Sequence, residues 1–364
     1  MGTTIKLPFY AKASLIFIGF FAFVNMLFIS QSIIVPVIYA TILAIVLSPI
    51  VNFFVRIKIN RILAIAVTLV IVILLTFSLI TFLCSQVGKF GDSFPAMITK
   101  FHLLLNQLIL WISNTFNISS NKIIQWLVEI KSEIMSDGKS AIGQTLIYTG
   151  NVLIILVLIP VYVFMILFYQ PLLLEFIHRL FKMRKQGDVN EVLISTKKII
   201  QSYLSGLLLE AFIIASLNSV SLLILGIDYA ILLGVIGAIV NIIPYIGGAL
   251  GVAFPFLMAL TTKPSFSYAF MVVIAYMIIQ FIDNHYIVPK IVASKVKINA
   301  LVSVIVVLAG GALWGIPGML LSIPLTAIIK VICDHVEELK PWGFVLGDTM
   351  PTGISSKINF RKNK

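Results

Sequence analysis

An apolar run from about Ile227 to Leu260 is too long for one membrane crossing, and it is broken in the middle by Asn241-Ile-Ile-Pro244-Tyr245-Ile-Gly247-Gly248. As one continuous helix it would measure about 50 Å, against a hydrocarbon layer of roughly 30 Å. Pro244 lacks an N–H and collides with the preceding turn, while Gly247 and Gly248 let the chain reverse. The pattern predicts a helical hairpin that dips into the membrane and returns. A second run, Ala300 to Ile332, is broken in the same way by Gly310-Gly311-Ala-Leu-Trp314-Gly315-Ile-Pro317-Gly318. Pro255 and Pro324 follow the two breaks within about two turns. The backbone groups freed at such breaks must face protein or water, so paired broken segments point to a transporter's binding region.

The rest of the composition fits that solvent. The chain is 60% hydrophobic and only 11% charged, with a mean hydropathy of +1.10, which is far outside the soluble range. A net charge of +12 invites a nucleic-acid reading, but the 26 Lys and Arg lie almost wholly in the short gaps between apolar runs. They lack the aromatic interleaving of a base-stacking surface, and positive-inside topology accounts for them better. Phe17, Phe20, Phe21 and Phe23 sit in a first apolar run with no small-residue cleavage site after it, the pattern of a retained helix. Cys84 and Cys333 give neither a disulfide framework nor a metal spacing.

Taken in order, apolar periodicity predicts spans at about 13–30, 33–54, 62–84, 145–169, 206–226 and 267–287, with a tight Ser30-Gln31-Ser32 turn joining the first two. From Gln86 to Gln144 the character changes. Met97, Phe101, Leu104, Leu108 and Trp111 make one helical stripe, and Ile123, Leu127, Ile130 and Ile134 make another. These read as two external amphipathic helices separated by Asn114 to Asn121, either packed on the membrane surface or a neighbouring subunit, or acting as a lid over a substrate path. Arg179, Lys182, Arg184, Lys185, Lys197 and Lys198 mark a cytoplasmic segment. Lys290, Lys295 and Lys297 precede the second broken run, whereas Lys263 alone follows the first. Positive-inside then favours two opposed re-entrant hairpins over eight continuous spans.

No soluble-enzyme constellation is present, so no catalytic residue, cofactor or metal is expected. Gly138-Lys139-Ser140 mimics the end of a P-loop, but Glu133 stands at the first glycine position. His102, His178, His285 and His335 are scattered. Ionisable groups within spans are better candidates, because a charge at the bilayer centre costs at least about 2.5–3.5 kcal/mol and is seldom left unpaired. Glu210 and Asp283 are the carboxylates so placed, Asp283 beside Gln280, Asn284 and His285. They read either as proton- or cation-coupling groups, or as carboxylates that reach headgroup water or pair with Lys198, Lys290 or Lys295. For a substrate path the candidates are Asn241, Pro244, Tyr245, Gly247 and Gly248 at the first break, with Trp314, Gly315 and Pro317 at the second. For each the structural alternative is a helix cap, packing or close helix approach.

Three motifs carry a resemblance. Ile243-Pro244-Tyr245-Ile-Gly247, Val288-Pro289-Lys290-Ile291 with Asp283 ahead of it, and Gly310-Gly311-Ala-Leu-Trp-Gly315-Ile-Pro-Gly318-Met-Leu-Leu-Ser-Ile-Pro324-Leu together resemble the autoinducer-2 exporter family of bacterial membrane proteins. Arg61-Ile-Leu-Ala64 after a basic gap matches its N-terminal part. One departure is Ala300, where the family usually has proline, and Asn299 is placed to cap that helix instead. The resemblance implies a multi-pass protein of the bacterial inner membrane and a homo-oligomer, with a pentamer as one form.

The expectation is an all-α polytopic protein with six transmembrane helices, two opposed re-entrant hairpins and an external amphipathic region. Its parts are helices 1–3 (1–85), the amphipathic region (86–144), span four with a basic segment (145–205), a transport core (206–333) and a cytoplasmic tail (334–364). Both termini fall in the cytoplasm. The expected function is secondary transport or export of a small polar solute such as autoinducer-2, coupled to H+ or Na+. The rivals are a Na+(Li+)/H+ antiporter and a non-transporting membrane scaffold.

Overall fold

A computed structural model describes residues 8–116, 119, 125, 157–180, 186–244, 247–293 and 296–349. Among these the regular structure is helical, with one isolated bridge between Ile298 and Gly347. Six helices are long and apolar enough to cross a membrane: Phe9–Ile29, Gln31–Arg56, Arg61–Gln86, Val189–Ile224, Phe266–Val292 and Ala300–His335. A pair bent by 63°, Val157–Phe168 with Gln170–Leu180, makes a seventh if taken as one.

The first two helices, α1 (Phe9–Ile29) and α2 (Gln31–Arg56), meet at Ser30, the turn the sequence indicated. Pro49 inside α2 leaves the carbonyl four residues earlier, that of Ile45, without its helical donor. Gln201 supplies one from another helix, its side-chain amide donating to the Ile45 oxygen at 2.7 Å. Helix α3 (Arg61–Phe116) is 56 residues long and contains both the third span and the first amphipathic stretch. The sequence suggested two separate pieces. Gly88, Gly91 and Pro95 do not end the helix because propagation from a formed span adds one bond per residue without a new nucleus. Trp111 on this extension is 63% exposed. The stripe at Ile123–Ile134 lies outside the described residues. Arg61 fixes the start of α3 to the bent pair α4 (Val157–Phe168) and α5 (Gln170–Leu180), donating to Leu167 O at 2.9 Å and Gln170 Oε1 at 3.0 Å.

Helix α6 (Gln186–Ile224) joins the basic segment to the fifth span without a break. The first broken run follows as α7 (Ala230–Asn241), α8 (Gly247–Gly251) and α9 (Ala253–Thr262). It doubles back: a Cβ on Gly251 would stand 3.4 Å from the Cα of Gly237, although 14 positions separate them. Next come α10 (Phe266–Ile282) and an 11-residue π-helical segment, Asp283–Ala293. The second broken run, α11 (Ala300–His335), also doubles back and is not one straight span. Its backbone leaves the helix at Trp314 and Gly315, where Gly315 has φ 64° and ψ −147°. Gly318 returns to within contact of Gly310, whereas a straight helix would hold residues eight apart about 12 Å from each other. Asn299 caps α11 as expected, its Oδ1 accepting from Val302 N at 2.8 Å. The same side chain donates to Val345 O and Gly347 O at the end of α12 (Lys340–Leu346).

Packing divides into two main centres. Ala40, Ala44 and Leu47 of α2 meet Ala64, Ile65 and Leu69 of α3 and Val163 of α4. Leu222, Leu233, Met258, Ala259, Ala269 and Val272 close the space between α6, the first hairpin and α10. The alanines let backbones approach, which matters where lipid removes the hydrophobic drive between helices. Helix α1 has no buried residue.

Candidate functional site

The two broken segments, α6 and the π-helical stretch enclose a cavity of about 740 Å³. Helix α6 contributes Tyr203, Leu207 and Glu210, which are spaced four and three apart and so share one face. The break of the first hairpin gives Asn241, Ile242, Ile243, Pro244 and Gly248. Tyr276 and Gln280 come from α10, and Asp283 and Asn284 from the π segment that continues it. Ile298, Ala300, Ser303 and Ile323 close the far end from the feet of the second hairpin.

Asp283 is the centre of this arrangement. It is 1% exposed, and its Oδ2 accepts a hydrogen bond from Asn241 Nδ2 at 3.0 Å. Its other oxygen, Oδ1, is buried with no hydrogen-bond partner among the described residues. Glu210 is 7% exposed and lines the same cavity. Among the described residues neither cavity carboxylate forms an ion pair, so neither has the Lys198 or Lys290 partner that was one structural alternative. Lys295 lies outside the described residues. Two carboxylates and three carboxamides thus share a space whose other walls are mostly aliphatic. Such a site suits a proton, a monovalent cation or a solute rich in hydroxyls.

Local sequence explains the geometry. Gly247 is required at the reversal, because a Cβ there would lie 2.1 Å from Val240 O and 2.6 Å from Asn241 Cα. Gly248 lets Gln280 pack over the returning arm, where a Cβ would meet Gln280 Oε1 at 2.3 Å. Asp283 stands where the α-helix gives way to π-helical turns, which recur at functional sites because they re-aim side chains. Gln280 Nε2 donates to Asn284 Oδ1 at 3.4 Å across this transition.

Of the residues singled out in the sequence, Asn241, Pro244, Gly248, Glu210, Gln280, Asp283 and Asn284 line this one cavity, and Gly247 sits buried beside it. Tyr245 lies outside the described residues. Trp314, Gly315 and Pro317 are placed elsewhere, at the tip of the second hairpin against the first two helices. The Trp314 indole donates to Leu27 O at 3.1 Å, and the Tyr39 hydroxyl donates to Pro317 O at 3.0 Å. Tyr203, Tyr276 and Ser303 were not anticipated. Reading one helical face outward from each carboxylate would have found the two tyrosines, seven residues before Glu210 and Asp283 respectively.

A protein-family model described as the AI-2E family transporter matches residues 15–338. The chain belongs to the AI-2E transporter family. Among similar AI-2E relatives is YueF of Bacillus subtilis (strain 168), named as a candidate transport protein, which is 25% identical over 90% of this chain and 89% of its own length. The AI-2 transport protein TqsA of Escherichia coli (strain K12) is 23% identical over 88% of this chain and 90% of its own. YrrI of Bacillus subtilis (strain 168), another candidate transport protein, is 35% identical over 38% of each chain. Membership of the AI-2E family and the six long apolar helices make this a multi-pass membrane protein with a role in transport.

Proposed function

We propose that the protein is a secondary transporter that exports a small polar solute of the autoinducer-2 kind, with the 740 Å³ cavity as its solute site and Asp283 and Glu210 as coupling groups. The observation that carries this reading is the buried Oδ1 of Asp283, which has no hydrogen-bond partner among the described residues, beside a second cavity carboxylate. A buried charge without a partner is costly, so a proton, cation or solute hydroxyl that arrives and leaves is the natural occupant. The two hairpins enter from opposite membrane faces, and both termini are cytoplasmic in the bacterial cell membrane. A homo-oligomer fits the bare α1 helix, which has apolar residues on all sides and none buried in the single chain.

Purified protein in proteoliposomes, assayed for autoinducer-2 flux with and without a pH or Na+ gradient, tests the proposal. Gradient-driven flux is expected, and Asp283→Asn or Glu210→Gln should abolish it while the protein stays folded. Normal coupled flux in both variants overturns the coupling assignment. A second reading, Na+(Li+)/H+ antiport, is favoured by the same buried carboxylate oxygen. It requires Na+-driven change of internal pH with no organic solute present.

A further inference from the structure

A second polar station lies at the end of the cavity where Tyr276 lines the wall, two helical turns from the carboxylates. Asn218 follows Glu210 by eight residues on α6, and Tyr276 precedes Asp283 by seven on the α10 face, so each lies about 10–12 Å further along its helix. Both are more than nine-tenths buried, at 3% and 7% exposure. Both carry an atom without a hydrogen-bond partner among the described residues, Oδ1 of Asn218 and the hydroxyl of Tyr276. The Asn218 amide nitrogen and the Tyr276 hydroxyl converge on one point. A Cβ on Gly237 would lie 3.2 Å from Asn218 Nδ2, 3.4 Å from the Tyr276 hydroxyl and 3.4 Å from the carbonyl of Gly251.

Glycine at 237 therefore lets an amide, a phenol and a peptide carbonyl close to within 3.2–3.4 Å of the place a side chain would occupy. Gly251 comes from the returning arm of the first hairpin, so this polar contact lies where the two arms touch. The Tyr276 phenol is neutral at physiological pH, which sets this end of the cavity apart from the end that carries the two carboxylates. Immediately beyond, Leu222, Met258 and Val272 form an apolar seal, each no more than 1% exposed.

We propose that Asn218 and Tyr276, opposed across Gly237, form an uncharged outer station of the transport path that holds a hydroxyl group, from water or from the solute, at the end of the carboxylate cavity next to the apolar seal. This rests on the cavity being the solute site. Amide and phenol together offer a donor and an acceptor to one hydroxyl and give no compensation to a bare ion. A packed pair of this kind without an occupant would leave two buried polar atoms unsatisfied, which native proteins seldom retain.

The test uses the reactivity of introduced thiols. In a background with Cys84 and Cys333 replaced by serine, single variants Asn218→Cys, Gly237→Cys, Glu210→Cys and Leu222→Cys are reconstituted in nanodiscs, where both membrane faces are open. They are treated with hydroxyethyl methanethiosulfonate, an uncharged reagent whose sulfur the thiolate attacks, forming a mixed disulfide and releasing methanesulfinate, so a thiol in a dry apolar core stays inert. Asn218→Cys and Gly237→Cys should react at least ten-fold faster than Leu222→Cys, which lies one turn further along α6. Slowing by glycerol assigns the station to solute hydroxyls, and an unslowed rate assigns it to water. If positions 218 and 237 are as inert as 222, the station does not exist. Reaction at Glu210→Cys alone would then leave the cavity reading standing, and inertness there as well would remove both.

Discussion

Gly247 and Gly315 show one residue type required for two different physical reasons. At Gly247 the obstacle is space, since a Cβ would stand 2.1 Å from Val240 O. At Gly315 there is nothing within 4 Å, and the obstacle is a backbone at φ 64° and ψ −147° that essentially only glycine adopts. Gly315→Ala should therefore cost about 1–3 kcal/mol of stability, seen as a lowered melting temperature in detergent, with the second hairpin otherwise intact. Gly247→Ala should cost more and also reduce flux, because it moves the turn that carries Asn241. Equal, negligible effects at both would place the reversals wrongly. Asn241 is the other residue to test. Asn241→Ala leaves both oxygens of Asp283 without a partner, and should lower stability by about 1–3 kcal/mol in a thermal melt. At this scale the sequence exposed the glycines, the Asn299 cap and the two carboxylates. It did not expose Trp314 as a side chain that ties a hairpin tip to α1, since its partner, Leu27 O, is a backbone atom 287 residues away.

Elements are joined here by side chains that repair broken helices. Pro49 deprives Ile45 O of its helical donor, and Gln201 of α6 provides the substitute at 2.7 Å. Gln201→Leu should destabilise the protein by about 1–3 kcal/mol by stranding that carbonyl. In a Pro49→Ala background the backbone N–H of residue 49 can take over, and the same Gln201→Leu change should cost much less. A double-mutant cycle on thermal stability measures the difference, and additivity would show that the contact carries no energy. Element boundaries were less legible than element existence. The sequence marks apolar stretches by composition, but whether a helix continues past one depends on propagation from structure already formed, as in the 56 residues of α3.

For the whole molecule the open choice is between hairpins that return to the side they entered and hairpins that cross. The two arrangements put the ends of the sixth span on opposite faces. In the background without Cys84 and Cys333, Pro264→Cys and Lys297→Cys bracket that span, and both positions are exposed. Intact cells treated with a membrane-impermeant thiol reagent should label 264 and spare 297. The reverse pattern would mean continuous crossings and would put the cavity's far end outside.

Composition and the Pro/Gly breaks by themselves determined that this is a helical membrane protein with two interrupted runs, because the cost of unsatisfied backbone in lipid is local and leaves few alternatives. Motif order determined its family. Tertiary structure decided which candidates share a space. Residues 210, 241, 248, 280, 283 and 284 gather around one cavity, while Trp314 and Pro317 bond to α1 and α2. Each hairpin tip offers similar polar and glycine chemistry in the sequence. What separates them is the neighbour each meets after the chain has folded: the first meets a buried carboxylate, and the second meets a carbonyl in the last turn of α1 and a tyrosine of α2. That pairing depends on contacts across many tens of residues, which no local pattern of residues encodes.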